Sequence, residues 1–302
     1  MAAHNDREFL PEAIESIFNQ TFHDWELLIS DDASSDGSFD WLQENVRDSR
    51  VKLFRNHENI GLVANKNRII SQARGSFVTQ QDADDRSAPE RLERQIASFL
   101  ADPKLDIVSC GLTRIDECGR RIDQVVPASD IRLDPGMDPA FPFWFAPMMV
   151  RTELISVVGP LHDWFEGGFG EDHYWGLRAS KIASSLCLAA PLYEYRYNPR
   201  STTNSINGQK RILVAGVLKE VARQLNADEI DLLSQEDGSA LAAFEAMLLN
   251  NRNYMAEQYR VLGARSVDKG NLADGLNLIA KSLFTWPSMQ AIRTLFYAFR
   301  KV

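Results

Sequence analysis

Glu26-Leu27-Leu28-Ile29-Ser30-Asp31-Asp32-Ala33-Ser34 and Ser76-Phe77-Val78-Thr79-Gln80-Gln81-Asp82-Ala83-Asp84-Asp85 follow one pattern, a short apolar run that turns acidic at its end. A run of this length bounded by turn residues reads as a buried strand. Carboxylates crowded at its end are poor core material. In an open α/β sheet, ligands bind beyond the carboxyl ends of the strands, so two acidic ends in one sheet can share a polar ligand. A nucleotide with a divalent cation has that character.

Outward from these runs, helix and strand patterns alternate to about residue 112. Phe9, Ala13, Ile14, Ile17 and Phe18 lie on one face of a helix with Pro11 near its first turn, and Asn5 or Asp6 stands where a cap belongs. Helices are expected over Ser38–Val46 and Leu62–Ala73, the latter closed by Gly75, and from Pro89 to Leu100. Strands are expected over Trp25–Ser30, Val51–Phe54, Ser76–Gln80 and Ile107–Leu112. This alternation implies a mostly parallel central sheet flanked by helices. From Gly119 to Pro160 the pattern degrades, and Phe141-Pro142-Phe143-Trp144-Phe145-Ala146 reads equally as a site lining or as an edge packed on its own aromatics. Asp163–Ala183 returns to helix, and Ala189–Tyr197 reads as a last strand.

Beyond Gln209 the periodicity is helical throughout, which divides the chain into an α/β domain over 1–205 and a helical C-terminal region over 206–302. Leu262-Gly263, Gly270, Ile279, Leu283 and Pro287 resemble one tetratricopeptide-type hairpin, too little for an array. The aromatic, basic end from Leu283 to Lys301 is open to packing on the domain, to dimerisation, or to peripheral contact with a membrane.

A net charge of -9 argues against nucleic acid as a partner. No apolar run nears the roughly 18 residues of a spanning helix. The first residues lack a secretory h-region, so the expected place is the cytoplasm or the inner face of its membrane. Cys110, Cys118 and Cys187 have no C-x-x-C spacing and are expected to be buried thiols.

At this point the motifs resemble the inverting family 2 glycosyltransferases of GT-A fold. Glu15-Ser16-Ile17-Phe18-Asn19-Gln20-Thr21-Phe22 resembles the family's first helix and Q-T turn, and Glu26 to Ser38 its base-binding strand and acidic turn. Asn59-Ile60-Gly61 with Asn67 and Ala73-Arg74-Gly75 resembles the next helix, and Asp82-Ala83-Asp84 the D-x-D motif. Gly170-Glu171-Asp172 with Leu177-Arg178, then Leu192-Tyr193-Glu194-Tyr195-Arg196, complete the series. The order and spacing of these motifs carry the likeness.

The resemblance implies a nucleotide-sugar donor, a UDP-sugar first, a glycan or lipid-linked acceptor, and Mn2+ or Mg2+. Asp32, with Ala3 and Asn5, would hold the nucleotide. Asp84 would bind the metal, and Asp82 the ribose or the metal's shell. Lys66 would reach a phosphate or stand solvated, Asn67 would join the donor site, and Asn198 would stand where relatives often carry a metal-assisting His. Asp172 would serve as general base toward the acceptor hydroxyl, with Glu171 orienting the site or pairing with Arg178. Relatives begin with a buried strand that is here cut to Met1 and Ala2, so the opening strand is expected to be truncated. A non-catalytic scaffold of the same fold and a Mg-binding receiver domain are the rival readings. The receiver fails on motif order.

Overall fold

The computed structural model describes residues 1–137, 146–167, 169–197, 209–268 and 270–301. It divides into two compact units, Met1–Glu166 with Glu171–Asn198, and Gly167–Gly170 with Pro199–Val302. The boundary expected at 205/206 and the metal-assisting Asn198 lie outside the described residues, as does Phe141 to Phe145 of the aromatic run.

The first unit opens with β1 (Ala2–Ala3), α1 (Leu10–Phe18), β2 (Leu27–Asp31), α2 (Ser38–Asn45), β3 (Val51–Arg55) and α3 (Leu62–Ile70). The three strands form one parallel sheet, with Ala2 opposite Ser30 and Leu27 opposite Val51. Helix α1 buries Leu10, Ala13, Ile14 and Ile17, the expected stripe. Burial of each large aliphatic is worth about 1.5–3 kcal/mol. Its cap differs from expectation. Phe9 is the capping position with no side-chain bond, and it is the Asp6 carbonyl that accepts from the Phe9 and Leu10 amides. The Asp6 carboxylate is thereby spared for other duty.

There follow β4 (Phe77–Thr79), β5 (Arg86–Ser87), α4 (Arg91–Ala101), β6 (Ile107–Ile115), β7 (Arg121–Val125), β8 (Ile131–Leu133), β9 (Met149–Arg151), α5 (Thr152–Val158), a 3-10 turn (Asp163–Phe165), α6 (Glu171–Ser180) and β10 (Ser185–Arg196). They build a second sheet in the order β4-β9-β6-β10-β5, with β7 on β6 and β8 on β10. Its centre, β6 beside β10, is parallel. The flanking pairs are antiparallel. Parallel pairing thus occupies the opening sheet and the middle of the second. Leu92, Phe99, Val108, Leu112, Leu188 and Tyr193 form the core between α4 and this sheet.

Strand β1 is two residues long. Leu27 and Leu28 of β2 line a cavity of about 860 Å³ together with Phe77, Val78 and Thr79 of β4. Cys110 and Cys187 are buried, but Cys118 is exposed, contrary to expectation. It sits in the tight turn between β6 and β7, where its amide donates to Asp116 Oδ1.

The second unit holds α7 (Gln209–Asn226), α8 (Ser239–Asn250), α9 (Arg252–Asp268), α10 (Leu272–Thr285) and α11 (Met289–Phe299). Helices α9 and α10 meet backbone to backbone. A Cβ on Gly263 would stand 2.8 Å from the Gly275 carbonyl oxygen, so no larger side chain fits without separating them. This is the expected hairpin, with Ile279 fully buried at the crossing.

Candidate active site

Strand β2 delivers Asp31 and Asp32 into a turn, and the two carboxylates have different partners. Asp32 is buried, and its Oδ1 accepts from Asn56 Nδ2 (2.7 Å) and the Ile60 amide (2.9 Å), its Oδ2 from the Gly61 amide (2.9 Å). Most of its lone pairs are therefore spent on building the Asn59–Gly61 loop. Asp31 accepts from the Ser34 amide at Oδ2, while its buried Oδ1 has no partner. Asp31 is thus the carboxylate with one oxygen left without a partner, whereas the expectation named Asp32, which keeps acceptor capacity only at Oδ2. Ala3 binds the turn through its carbonyl, which accepts from the Asp32 amide. Asn5, at positive φ, ties in through its amide to Ser34 Oγ and through Oδ1 to the Ser35 amide.

The second acidic segment hangs between β4 and β5 and is held from outside. Arg91, fully buried on α4, donates to Thr79 Oγ1, the Gln80 carbonyl and Ser87 Oγ, and its guanidinium lies 4.8 Å from the Tyr193 ring centre. The Tyr193 hydroxyl accepts from the Asp82 amide. Arg196 at the end of β10 donates from Nε to the Asp84 carbonyl (2.7 Å), from its amide to Asp85 Oδ1, and from Nη2 to Glu12. Two buried arginines thus hold the segment at the Gln80 and Asp84 carbonyls, and the carboxyl groups of Asp82, Asp84 and Asp85 are left crowded together. Burial, with the field of Asp84 and Asp82, drives the Asp85 carboxyl well above the ordinary range. Burial, reinforced by Asp84, Asp36 and Asp82, carries Asp6 up to about 7.

Helices α3 and α6 supply the third part. Lys66 Nζ donates to Glu171 Oε1 at 2.8 Å, and both side chains are buried. Burial alone would lower the lysine, but Glu171, Asp82 and Asp172 together hold it above its ordinary value. This one ammonium therefore lies in the field of both acidic motifs. Asp172 is raised to about 7, first by burial, then by Glu171, against the opposing pull of Lys66. Glu171 pairs with Lys66 and not with Arg178, whose guanidinium lies 5.6 Å from the Tyr174 ring centre.

Asn67 is committed at both ends of its amide to Leu161, donating to its carbonyl and accepting from its amide. It positions the segment leading to α6 with one bond at each end of its amide, and its second N–H and second lone pair remain for the donor role expected of it. Glu166 accepts from the amides of Leu62, Val63 and Ala64, at the positive end of α3. Gly61 makes that possible. Its φ is +92° and a Cβ would fall 2.3 Å from the Glu166 carboxyl carbon.

Among the described residues no three His, Cys, Asp or Glu side chains form a ready-made metal cage. A hard cation needs only one or two carboxylates where phosphate oxygens complete its shell. Asp82 and Asp84 are an all-oxygen set on one loop whose field raises its neighbours, and they fit Mg2+ or Mn2+ on those terms. Asp6, Asp31, Arg91, Arg196 and Glu166 carry no individual site role in the sequence analysis. Arg91 left a signal, since it shares the 91, 95, 99 stripe with buried Gln95 and Phe99.

The model of glycosyl transferase family 2 matches residues 1–154. EpsE of Bacillus subtilis, named as a glycosyltransferase, is 35% identical over 161 residues, 52% of this chain and 57% of its own length. TuaG of the same organism, named for teichuronic acid biosynthesis, is 27% identical over 129 residues, 42% of this chain and 51% of its own length. The chain spans about half the length of these curated relatives. Among solved structures, residues 1–349 of S. aureus TarS in complex with UDP-GlcNAc superimpose with a TM-score of 0.63 at 17% identity, covering 99% of this chain and 90% of that one. That likeness shows a shared GT-A fold.

Proposed function

We propose, for a chain that belongs to glycosyl transferase family 2, that it moves a sugar from a nucleotide diphosphate sugar to an acceptor hydroxyl with inversion at the anomeric carbon. A UDP-sugar is the first candidate donor, and a glycan or lipid-linked acceptor at the cytoplasmic face of a membrane the counterpart. The names and ligands of the relatives support this direction. The receiver-domain reading lapses with the family assignment.

The observation that carries the reading is the single electrostatic neighbourhood formed by Asp82, Lys66, Glu171 and Asp172. Asp31 accepts the base N–H. Asp84 would hold a divalent cation, with Asp82 on the ribose or beside it, and such a cation would neutralise charge building on the leaving diphosphate. Asp172 takes the proton from the acceptor hydroxyl. The oxygen attacks the anomeric carbon from the opposite face, and the bond to the diphosphate oxygen breaks with its electron pair on the leaving group. A base near pH 7 in its titration suits that task. Lys66 keeps Glu171 paired, so that repulsion on Asp172 is limited.

The test is a panel of nucleotide sugars assayed for nucleoside diphosphate release with and without Mn2+. Release with one donor class, dependent on the cation, is the expected outcome. No release with any donor, on an acceptor mixture from the source cell envelope, returns the chain to the scaffold reading.

A further inference from the structure

Seven of the fifteen large apolar side chains that stand exposed among the described residues lie between Phe284 and Phe299. On α11 the small residues Ala291, Thr294 and Ala298 face inward, while Met289, Ile292, Phe296 and Phe299 face out, Phe296 at 64% exposure. At about 100° per residue these four fall within an arc of about 80°. Phe284, 86% exposed, and Trp286 precede them. Arg293 and Arg300, both exposed, lie along the flank of that stripe.

The charge is as uneven as the hydropathy. From Gly275 to the last residue there is no Asp or Glu, but Lys281, Arg293, Arg300 and Lys301 give +4 in a chain whose net charge is -9. A second copy of the chain would set this +4 against itself. No helix among the described residues is long and apolar enough to cross a membrane. The 11 residues of α11 span about 16 Å, half of a bilayer's apolar thickness. An apolar stripe with aromatic members and a basic flank instead suits a helix lying in the plane of an anionic lipid surface.

We propose that the face of α11, with Phe284 and Trp286, docks on an anionic membrane surface. The inference stands on the second unit alone, whether or not the first unit transfers a sugar. The full chain is sedimented with vesicles of phosphatidylcholine alone and with one-third phosphatidylglycerol, at low and high salt. Binding to the anionic vesicles only, weakened by salt, is expected. Arg293→Gln with Arg300→Gln should weaken it about 30-fold, at about 1 kcal/mol per basic residue. Phe296→Ser with Phe299→Ser should abolish it with an unchanged circular dichroism spectrum and Tm, since both side chains are already in solvent. Equal binding to neutral vesicles, or no binding, overturns the proposal. So does a dimer in light scattering that the Phe variant dissolves, because the face then belongs to a second copy.

Discussion

The acidic ends of β2 and β4 are written alike in the sequence and differ in what surrounds them. At the end of β2, backbone amides of Ile60 and Gly61 and the Asn56 amide neutralise Asp32, and the turn is stable by construction. At the end of β4, Arg91 and Arg196 bind mainly to carbonyls and hydroxyls, so the backbone is held while its carboxyl groups stay crowded. A hydrogen-bonded carboxylate stabilises a fold, whereas a crowded one is tolerated for what it binds.

The contrast is open to direct attack. Asp84→Ala is expected to lower transfer on the order of 10³-fold, the several kcal/mol that a bound cation supplies. It should also abolish the rise in Tm produced by Mn2+ with a nucleoside diphosphate, while the ligand-free Tm stays level or rises. A fall in ligand-free Tm would show that the β4 end is structural after all.

Asp172→Asn should cost transfer about 10²-fold or more, the range of general-base catalysis, with donor affinity nearly intact. In the parent protein the rate should climb through a pH near 7, because the base must ionise and its carboxyl is raised to about 7. Lys66→Met removes the cation that opposes this rise, so the limb should move to higher pH. A limb that stays in place would remove Lys66 from the pair.

Asp32→Ala should instead act on stability. It strands two amides and the Asn56 side chain, at about 1–3 kcal/mol for each buried group left unpaired. A total of about 3 kcal/mol corresponds to a Tm lower by roughly 6–12 °C. Nucleotide affinity should fall more in Asp31→Asn than in a folded Asp32→Asn protein, and the reverse ranking would restore Asp32 as the base-binding residue.

The pH dependence of stability separates the two ends again. Asp6 is raised to about 7 in the fold and titrates near 3.8 when unfolded, so the native state binds the extra proton between those values. Its contribution is fully present below about 4 and is lost as pH rises toward 7. Chemical denaturation from pH 4 to 8 should show that decline, flattened in Asp6→Asn. The smallest effect belongs to Glu166→Ala, about 1 kcal/mol for uncapping α3, read by the same denaturation.

Much of this architecture was legible because it is local. The stripe of α1, the apolar cores of β2 and β6 and the helical end are periodicities within one segment, and the structure has them within a few residues. Helix α3 stops at Ile70, short of the expected Ala73. Strands β8 and β9 were not legible, since three residues with distant partners leave no period of their own, and β7, folded back on β6, is largely exposed and shows no apolar alternation. The site splits the same way. Acidic motifs announce their location, but which of Asp31 and Asp32 keeps an oxygen without a partner depends on backbone amides some thirty residues away. The role of Arg196 is invisible for the same reason, since its partners at Asp84 and Glu12 are distant in the chain.

One consequence concerns labelling. Burial pushes the Cys110 thiol up to about 11 and Cys187 up to about 12, while Cys118 is exposed in its turn. A maleimide dye applied near neutral pH therefore lands on a single position without mutagenesis. The carbonyls of Asp116 and Glu117 beside it accept from the Arg196 guanidinium that also holds the Asp84 carbonyl. Fluorescence from Cys118 thus reports the acidic loop's response to nucleotide and cation in a protein whose sequence is untouched.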